Sequence, residues 1–426
     1  MSTNLNATSG IVTRGELINK LNNVYGSNGK GILNPEYFYQ KQLLDTIRLD
    51  ADQYVYYRLA DTTPIQGKAD KLMVRRWAPL QAHTEPLTEG IPPQSDKGSV
   101  EKYEIAAAQY GRYMEFSDHV DFKMVDPVIA FYTQEYSLVA METLDLLAKE
   151  ALFSIANLQF AGGATSFTDL ISKLNETGGE DNCKPNLTDL RKIVLNMKKH
   201  LVKPRNNGRF HVIASPEFYY DMVSDPTVEK YMTLNQTTKT MYDNSRLVPM
   251  FEMEFYEALT VPTTGEFFKG GNRCLMIKNT GTAIAAVTGT TAALASGGIG
   301  YITSAATDTG AVKTSAMTTS SGYVNDPRTG MQASYIPNKH TWTLPANCVE
   351  YKVQHVLVVG KEALVRTGLA GEDNARMYVK QKGSAGVLDP IDQRQSIGFK
   401  INSVGFGSTR LEAVMDYICV PTQLNI

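Results

Sequence analysis

Cysteine is scarce in this chain: four residues in 426, at 183, 274, 348 and 419. They are scattered and never fall in a C-x-x-C pair, which excludes a disulfide scaffold and speaks against a thiolate zinc or redox site. A reduced, cytoplasmic setting fits that usage. An excess of one charge is also missing, with 42 basic against 44 acidic residues and a net charge of −2. A dedicated nucleic-acid or membrane-surface binder normally carries a strongly basic footprint. Long apolar runs are lacking as well. The stretch from Asn279 to Thr307 is 29 residues long and uncharged, yet 14 of them are Thr, Gly or Ser, too polar for a membrane helix. The opening MSTNLNATSG shows no basic-then-apolar signal pattern. Without one, the N-x-[ST] sequons at Asn6, Asn175, Asn186 and Asn235 read as chance.

Catalytic signatures are absent too. Gly29-Lys30 is followed by Gly31 and Gly360-Lys361 by Glu362, so neither is a phosphate loop. Neither a G-x-S-x-G elbow nor an H-E-x-x-H pair occurs, and the six histidines (83, 119, 200, 211, 340, 355) never fall at metal-ligand spacing. Asp118, His119 and Asp121 form one tight acid–base cluster, which reads first as a solvated turn. Lys198, Lys199, His200, Lys203, Arg205 and Arg209 form the densest basic patch. Cations suit the negative end of a helix dipole, so a solvated helix terminus is the first reading and a phosphate contact the second.

What is present is 42% apolar residues, ample for a core. Residues 1–50 read as a polar arm followed by a short helix from Asn34-Pro35. Over 51–125, QYVYYRLA and KLMVRRWAPL read as strands, and a Pro- and Gly-rich stretch leads to EKYEIAAAQYGRYMEFSD. The unit reads as a long two-stranded hairpin, marginal in water by itself and therefore resting on something else. In 126–185, Asp126-Pro127 opens a helix of about 30 residues, apolar over most of its circumference and so expected to be buried. AGGATSFTDLISKLNETGGEDNCKP then reads as a linker-like crossover. Residues 186–261 alternate helix and strand, with Asn186 as a cap, RFHVIA as a buried strand and Ser215-Pro216 opening a further helix. Residues 262–346 turn to Thr, Ala, Gly and Ser and read as an inserted β-rich subdomain. Residues 347–375 and 376–426 are returning strands. Arg75, Arg76 and Trp77 on the hairpin are residue types favoured at interfaces, with Glu85 and Glu89 nearby as possible ion-pair partners.

The order of parts resembles the Hong Kong 97 fold of tailed-bacteriophage major capsid proteins. The "PLTEG" of residues 86–90 and the "QYG-x-Y" of 109–113 resemble segments of the family of the coliphage N-four major capsid protein. So does a later run with Gly383, Gly386, Asp389, Pro390, Gln393, Arg394, Gly398, Phe399 and Lys400. The resemblance implies an α+β, Hong Kong 97-like fold with N-terminal arm, extended hairpin loop (51–125), spine helix, and peripheral and axial domains; the block 262–346 has no counterpart and is expected as an insertion. It implies a shell protein without cofactor, metal or catalytic site. Pentamers and hexamers would close around double-stranded DNA, contacted non-specifically. It also implies a separate scaffolding protein, a portal protein, possible decoration proteins, no membrane, and residence in a virion assembled in the host bacterial cytoplasm. Arg75, Arg76, Trp77, Glu85, Glu89, Lys97 and Lys102 are the expected inter-subunit contacts. Some relatives cross-link subunits through a hairpin lysine, which makes Lys97 and Lys102 the positions to inspect. Two readings stand beside this one: an encapsulin-like compartment shell, and a soluble α/β enzyme whose site has no recognisable motif.

Overall fold

The computed structural model describes residues 54–65, 69, 71–78, 80, 82, 84, 86, 95–117, 128–205, 208–234, 251–269, 272–282, 295–303, 342, 344, 347–369, 375–380 and 394–422. The arm and its helix, Glu85, Glu89, the Asp118–His119–Asp121 cluster, the Asp126-Pro127 cap and the run from Gly383 to Gln393 lie outside the described residues.

In chain order the strands and helices are β1 (Asp61–Ile65), β2 (Lys71–Trp77), β3 (Val100–Ala106), β4 (Ala108–Ser117) and α1 (Val128–Ile155). There follow β5 (Asn157–Phe160), α2 (Phe167–Leu174), α3 (Gly179–Asn182), α4 (Leu187–Lys199), β6 (Phe210–Ala214), α5 (Pro216–Val223) and α6 (Pro226–Leu234). The remainder is β-rich: β7 (Met253–Glu257), β8 (Thr263–Thr264), β9 (Glu266–Lys269), β10 (Asn272–Asn279), β11 (Ile299–Thr303), β12 (Cys348–Glu350), β13 (Val353–Val359), β14 (Val365–Leu369), β15 (Ala375–Lys380), β16 (Arg394–Gly407) and β17 (Val414–Cys419).

The chain divides into two compact units. One takes in 1–48, 114–134 and 379–397. Within it, Arg394 faces Glu115 at 3.9 Å and the rings of Phe131 and Tyr132 meet edge to face at 5.3 Å. The other unit, 49–113, 135–378 and 398–426, holds the main core. Its centre is the mixed sheet β5-β17-β13-β6-β7. β13 and β17 are buried along their whole length, as central strands are, and the polar residues they carry are paired inside: His355 Nδ1 meets Asp416 Oδ2 at 2.8 Å. β6 and β7 are parallel, and the chain between them passes through α5 and α6, an α/β crossover. Pro216 and Pro226 each open a helix, where a missing N–H costs nothing. Asn186 caps α4 by accepting the Thr188 N–H at 2.7 Å.

Several expectations change. QYVYYRLA is not a strand: Tyr57–Leu59 is a 3-10 turn, with Tyr54, Tyr56 and Leu59 buried. Its aromatic residues fill a core instead of lining a sheet. The crossover from Ala161 to Pro185 is not a linker. Ser166 caps α2, whose Phe167, Leu170, Ile171 and Leu174 enter the main core. α1 spans 28 residues, about 42 Å at 1.5 Å per residue. It is not buried all round, since a single stripe of Tyr136, Ala140, Leu144, Ala148, Leu152 and Phe153 is covered and Leu146 is exposed. The described part of the 262–346 block is β-rich, but β8 pairs with β13, and Phe267, Cys274, Met276, Ile299 and Tyr301 belong to the main core. That portion is woven into the fold.

The sheet carrying β1, β14, β16 and β15 takes β4 along β16. There two glycines face each other's strand. A Cβ on Gly111 would stand 2.8 Å from the Phe399 carbonyl oxygen, and one on Gly398 would stand 2.6 Å from that of Arg112. Replacing Gly111 or Gly398 by Ala forces the strands apart. We expect a loss of about 1–3 kcal/mol each, the cost of overpacking, read as a lower urea midpoint. Gly98→Ala, whose Cβ would meet only Trp77 at 3.9 Å, should leave the midpoint unchanged.

Candidate functional site

β2 and β3 form a separate two-stranded ribbon, paired from Lys71↔Ala106 to Trp77↔Val100. Alternation divides its side chains between two faces. Tyr103 and Ile105 are buried on one face, together with the half-buried Leu72 and Val74. The other face is exposed and carries Met73, Arg75 and Trp77, the last 73% exposed. Arg75 lies directly opposite Lys102. Like charges in that position repel; Lys71 on the same face is paired with Glu104 at 3.5 Å, so the face keeps a net positive charge. A large exposed aromatic beside paired cations is the composition of an interface anchor.

Of the expected contacts, Arg75, Trp77 and Lys102 share this face. Arg76 does not. It points to the opposite face, and its Nη1 lies 3.4 Å from Glu412 Oε2 of the same chain. The triplet Arg75–Arg76–Trp77 is therefore split by strand alternation. Lys97 is exposed just before β3. Met73 was not singled out in the sequence, although its period-2 spacing from Arg75 and Trp77 is the signal that finds it.

Two further sites were not legible as chemistry. On α1, Asp145 is 2% exposed and accepts the Tyr57 N–H at 3.1 Å, while Lys149 one turn on donates to the Thr260 carbonyl at 3.2 Å. Burial pushes the Asp145 carboxyl up to about 6, against the pull of the Tyr57 and Tyr56 N–H groups, Lys149 and Arg58. Burial also lowers Lys149, with Asp145 and Glu150 opposing. The pair ties α1 to the 54–60 turn and to the 260 loop. The second is Leu201, just past α4. It adopts φ +58° and is 79% exposed. The left-handed turn lets Val202 N–H reach the Met197 carbonyl at 3.0 Å and Leu201 N–H that of Lys198 at 2.9 Å. Gly or Asn normally takes this position. The basic patch around it is in part the expected helix terminus, with Lys198 and Lys199 in the last turn of α4. Lys198 pairs with Glu252 at 2.5 Å and Arg205 with Asp61 at 3.5 Å.

The four cysteines are buried and unbridged. Burial pushes the Cys183 thiol up to about 11, so it is no nucleophile at neutral pH. Among the described residues no group of His, Cys, Asp and Glu could hold a metal ion, and no helix is long and apolar enough to cross a membrane.

No protein-family model and no curated protein matches the sequence. Solved structures do match in fold. The capsid of Ralstonia phage GP4 superposes with a TM-score of 0.54 at 9% identity, over 94% of this chain and 100% of that one. The head structure of Helicobacter pylori bacteriophage KHP40 gives 0.53 at 10%, over 92% and 99%. The capsid of cyanophage P-SCSP1u gives 0.52 at 11%, over 89% and 91%. The chain therefore has the mixed α+β fold of phage capsid proteins, the Hong Kong 97-like architecture that the resemblance implied.

Two predictions follow from the buried pair and from Leu201. Because burial holds the Asp145 carboxyl up at about 6, above its ordinary 3.8, its stabilising contribution is complete below about pH 4 and is lost as pH rises through about 6. Relative to Asp145→Asn, wild type should lose up to about 3 kcal/mol between those limits, at 1.36 kcal/mol per pH unit. Urea unfolding from pH 4 to 7.5 reads this, and parallel curves for the two proteins would refute it. Leu201→Asn should raise stability by about 1 kcal/mol by relieving left-handed strain, seen as a higher thermal midpoint.

Proposed function

We propose that this chain is the major capsid protein of a tailed bacteriophage. Copies assemble as pentamers and hexamers into an icosahedral shell around the double-stranded DNA genome. The observation that carries the reading is a fold match over about nine-tenths of the chain to structures described as phage capsids. A two-stranded ribbon with one exposed face of Trp77, Arg75 and Lys102 supports it, because a shell needs self-complementary surfaces that close by symmetry.

In this reading the segments take the roles implied by the resemblance. Residues 1–50 are the arm, 51–125 the extended loop, 126–185 the spine and crossover of the peripheral domain, and 186–261 with 347–375 the axial domain. The described strands of residues 262–346 belong with the main core, and 376–426 are the returning peripheral strands. Arg75, Trp77 and Lys102 bind a neighbouring subunit, with Glu85, Glu89 and Lys97 contributing along the same loop. Arg76 braces the ribbon from within. Scaffolding, portal and decoration proteins are separate partners, DNA is held without sequence reading, and assembly takes place in the host cytoplasm. The chain performs no catalysis.

Electron microscopy of the purified protein, expressed with and without its neighbouring genes, tests this. We expect closed shells tens of nanometres across with hexameric and pentameric units. Arg75→Glu with Trp77→Ala should cut shell yield at least tenfold while the unfolding free energy from urea denaturation stays within about 0.5 kcal/mol, as for exposed substitutions. Discrete monomers or dimers under every condition would overturn the reading and favour a soluble enzyme. A shell that copurifies with an enzyme cargo would favour a compartment.

A further inference from the structure

His211 on β6 is 4% exposed, and neither of its ring nitrogens has a hydrogen-bond partner among the described residues. Buried polar groups are normally paired, so an unpaired one calls for a cause. In the sheet His211 lies opposite Glu254 of β7 on one side and Val359 of β13 on the other. Its Nε2 stands 3.8 Å from Glu254 Oε2, too far for a hydrogen bond. The Glu254 carboxylate is engaged by the Tyr256 phenol, whose ring centre lies 4.8 Å from the imidazole. The other flank is cationic. Arg205, on the loop after α4, leaves only 10% of its side chain exposed, and its Nη2 is 3.5 Å from Asp61 Oδ1. Its Nη1 is buried with no hydrogen-bond partner among the described residues. Arg205 and Glu254 are therefore the charged groups that act on the imidazole, with opposite signs. Burial, and after it Arg205, hold the pKa of His211 below the ordinary 6.5, and Glu254 opposes them.

One proton decides between two arrangements of this cluster. With His211 neutral, Arg205 shares the buried space and holds Asp61. With His211 charged, two N–H groups need acceptors. Glu254 supplies one by closing about 1 Å to hydrogen-bond distance. The other finds none among the described residues, and two buried cations side by side repel. His211 is fixed inside a strand, whereas Arg205 sits on a loop whose Lys203 and Gly208 are exposed, so Arg205 is the group that moves. Asp61, which Arg205 holds, is the first residue of β1; that strand pairs with β14 in a different sheet and precedes the ribbon in the chain. We propose that His211 is a proton-operated release. On protonation Arg205 leaves Asp61, Glu254 turns from Tyr256 to His211, and the side-chain tie between the loop after α4 and β1 opens. The device is complete within one copy and goes beyond the shell reading without depending on it.

The sign follows from the lowered pKa: stability owed to the neutral ring is complete above the ordinary 6.5 and declines as pH falls below it. Asp145 titrates over the same range in the opposite sense, so each profile is read against His211→Phe, which keeps Asp145. The experiment is amide hydrogen exchange by mass spectrometry on the unassembled full-length chain from pH 7.5 to 5.5, corrected for the intrinsic rate. We expect exchange in β1 and in residues 203–211 to quicken about fivefold or more in acid, the signature of local opening, and His211→Phe to remove that change. Asp61→Asn should show the faster β1 exchange already at pH 7.5, with little added by acid. Arg205→Gln, which removes the repelling charge, should move the midpoint to higher pH, and Glu254→Gln should move it lower. These two opposite displacements carry the test if His211→Phe does not fold. A wild-type profile that His211→Phe reproduces would overturn the proposal. So would midpoints that Arg205→Gln and Glu254→Gln leave unmoved, or acid-induced exchange confined to β6 and β7 with β1 still protected.

Discussion

β4 and β16 can pair closely around residues 111 and 398 only because neither carries a side chain there. The same strand continues the pattern: a Cβ on Gly405 would stand 2.3 Å from the Ala106 carbonyl, and one on Gly407 would stand 2.7 Å from Ile105. The root of the β2–β3 ribbon is thus seated along β16 by backbone contact. Phe399, next to Gly398, brings its ring within 6.2 Å of Tyr136 on α1. One strand therefore references both the ribbon and the long helix. A projecting hairpin has little stability of its own. Its direction is set by this base and by the Arg76–Glu412 contact nearer its loop end.

The two glycines belong to the two motifs on which the resemblance was recognised, "QYG-x-Y" and the "G-F-K" of 398–400. Those motifs look independent in the sequence, nearly 300 residues apart, and meet in space. Patterning made other parts legible. The ribbon strands alternate, Asn186 and Pro216 mark helix starts, and FHVIA has no polar gap except a histidine. What stayed hidden had a physical cause. Tyr54, Tyr56 and Leu59 are aromatic and apolar at strand-like spacing, yet burial in a 3-10 turn satisfies them equally well. Gly and Asn in the crossover masked an eight-residue helix whose own cap, Ser166, was in plain view. The Thr- and Ala-rich block looked foreign because its large apolar residues are few, but Phe267 stacks on Phe167 at 4.7 Å inside the core.

Net charge near zero concealed a strong local separation. The exposed ribbon face and the Leu201 end are basic, while the segment joining the ribbon strands is acidic. Uniformly mixed charge would give the same sum and no preferred contact. Segregated charge of both signs gives a surface a direction that uniform mixing cannot, over a range set by the Debye length of about 8 Å at physiological salt. Such a surface gives orientation more than affinity.

The buried Asp145–Lys149 pair works in the opposite sense. A buried ion pair is costly to desolvate and is poor evidence of stabilisation. What it adds is position: one helical turn of α1 is bonded through Asp145 to the 54–60 turn and through Lys149 to the 260 loop. An apolar stripe permits a helix to slide by a turn, because Leu144, Ala148 and Leu152 repeat at that interval. Polar groups that must meet particular backbone groups, as Asp145 meets the Tyr57 N–H and Lys149 the Thr260 carbonyl, do not repeat along the helix. In this chain, room where backbones cross and a polar lock on the long helix are the constraints on which the rest of the packing depends.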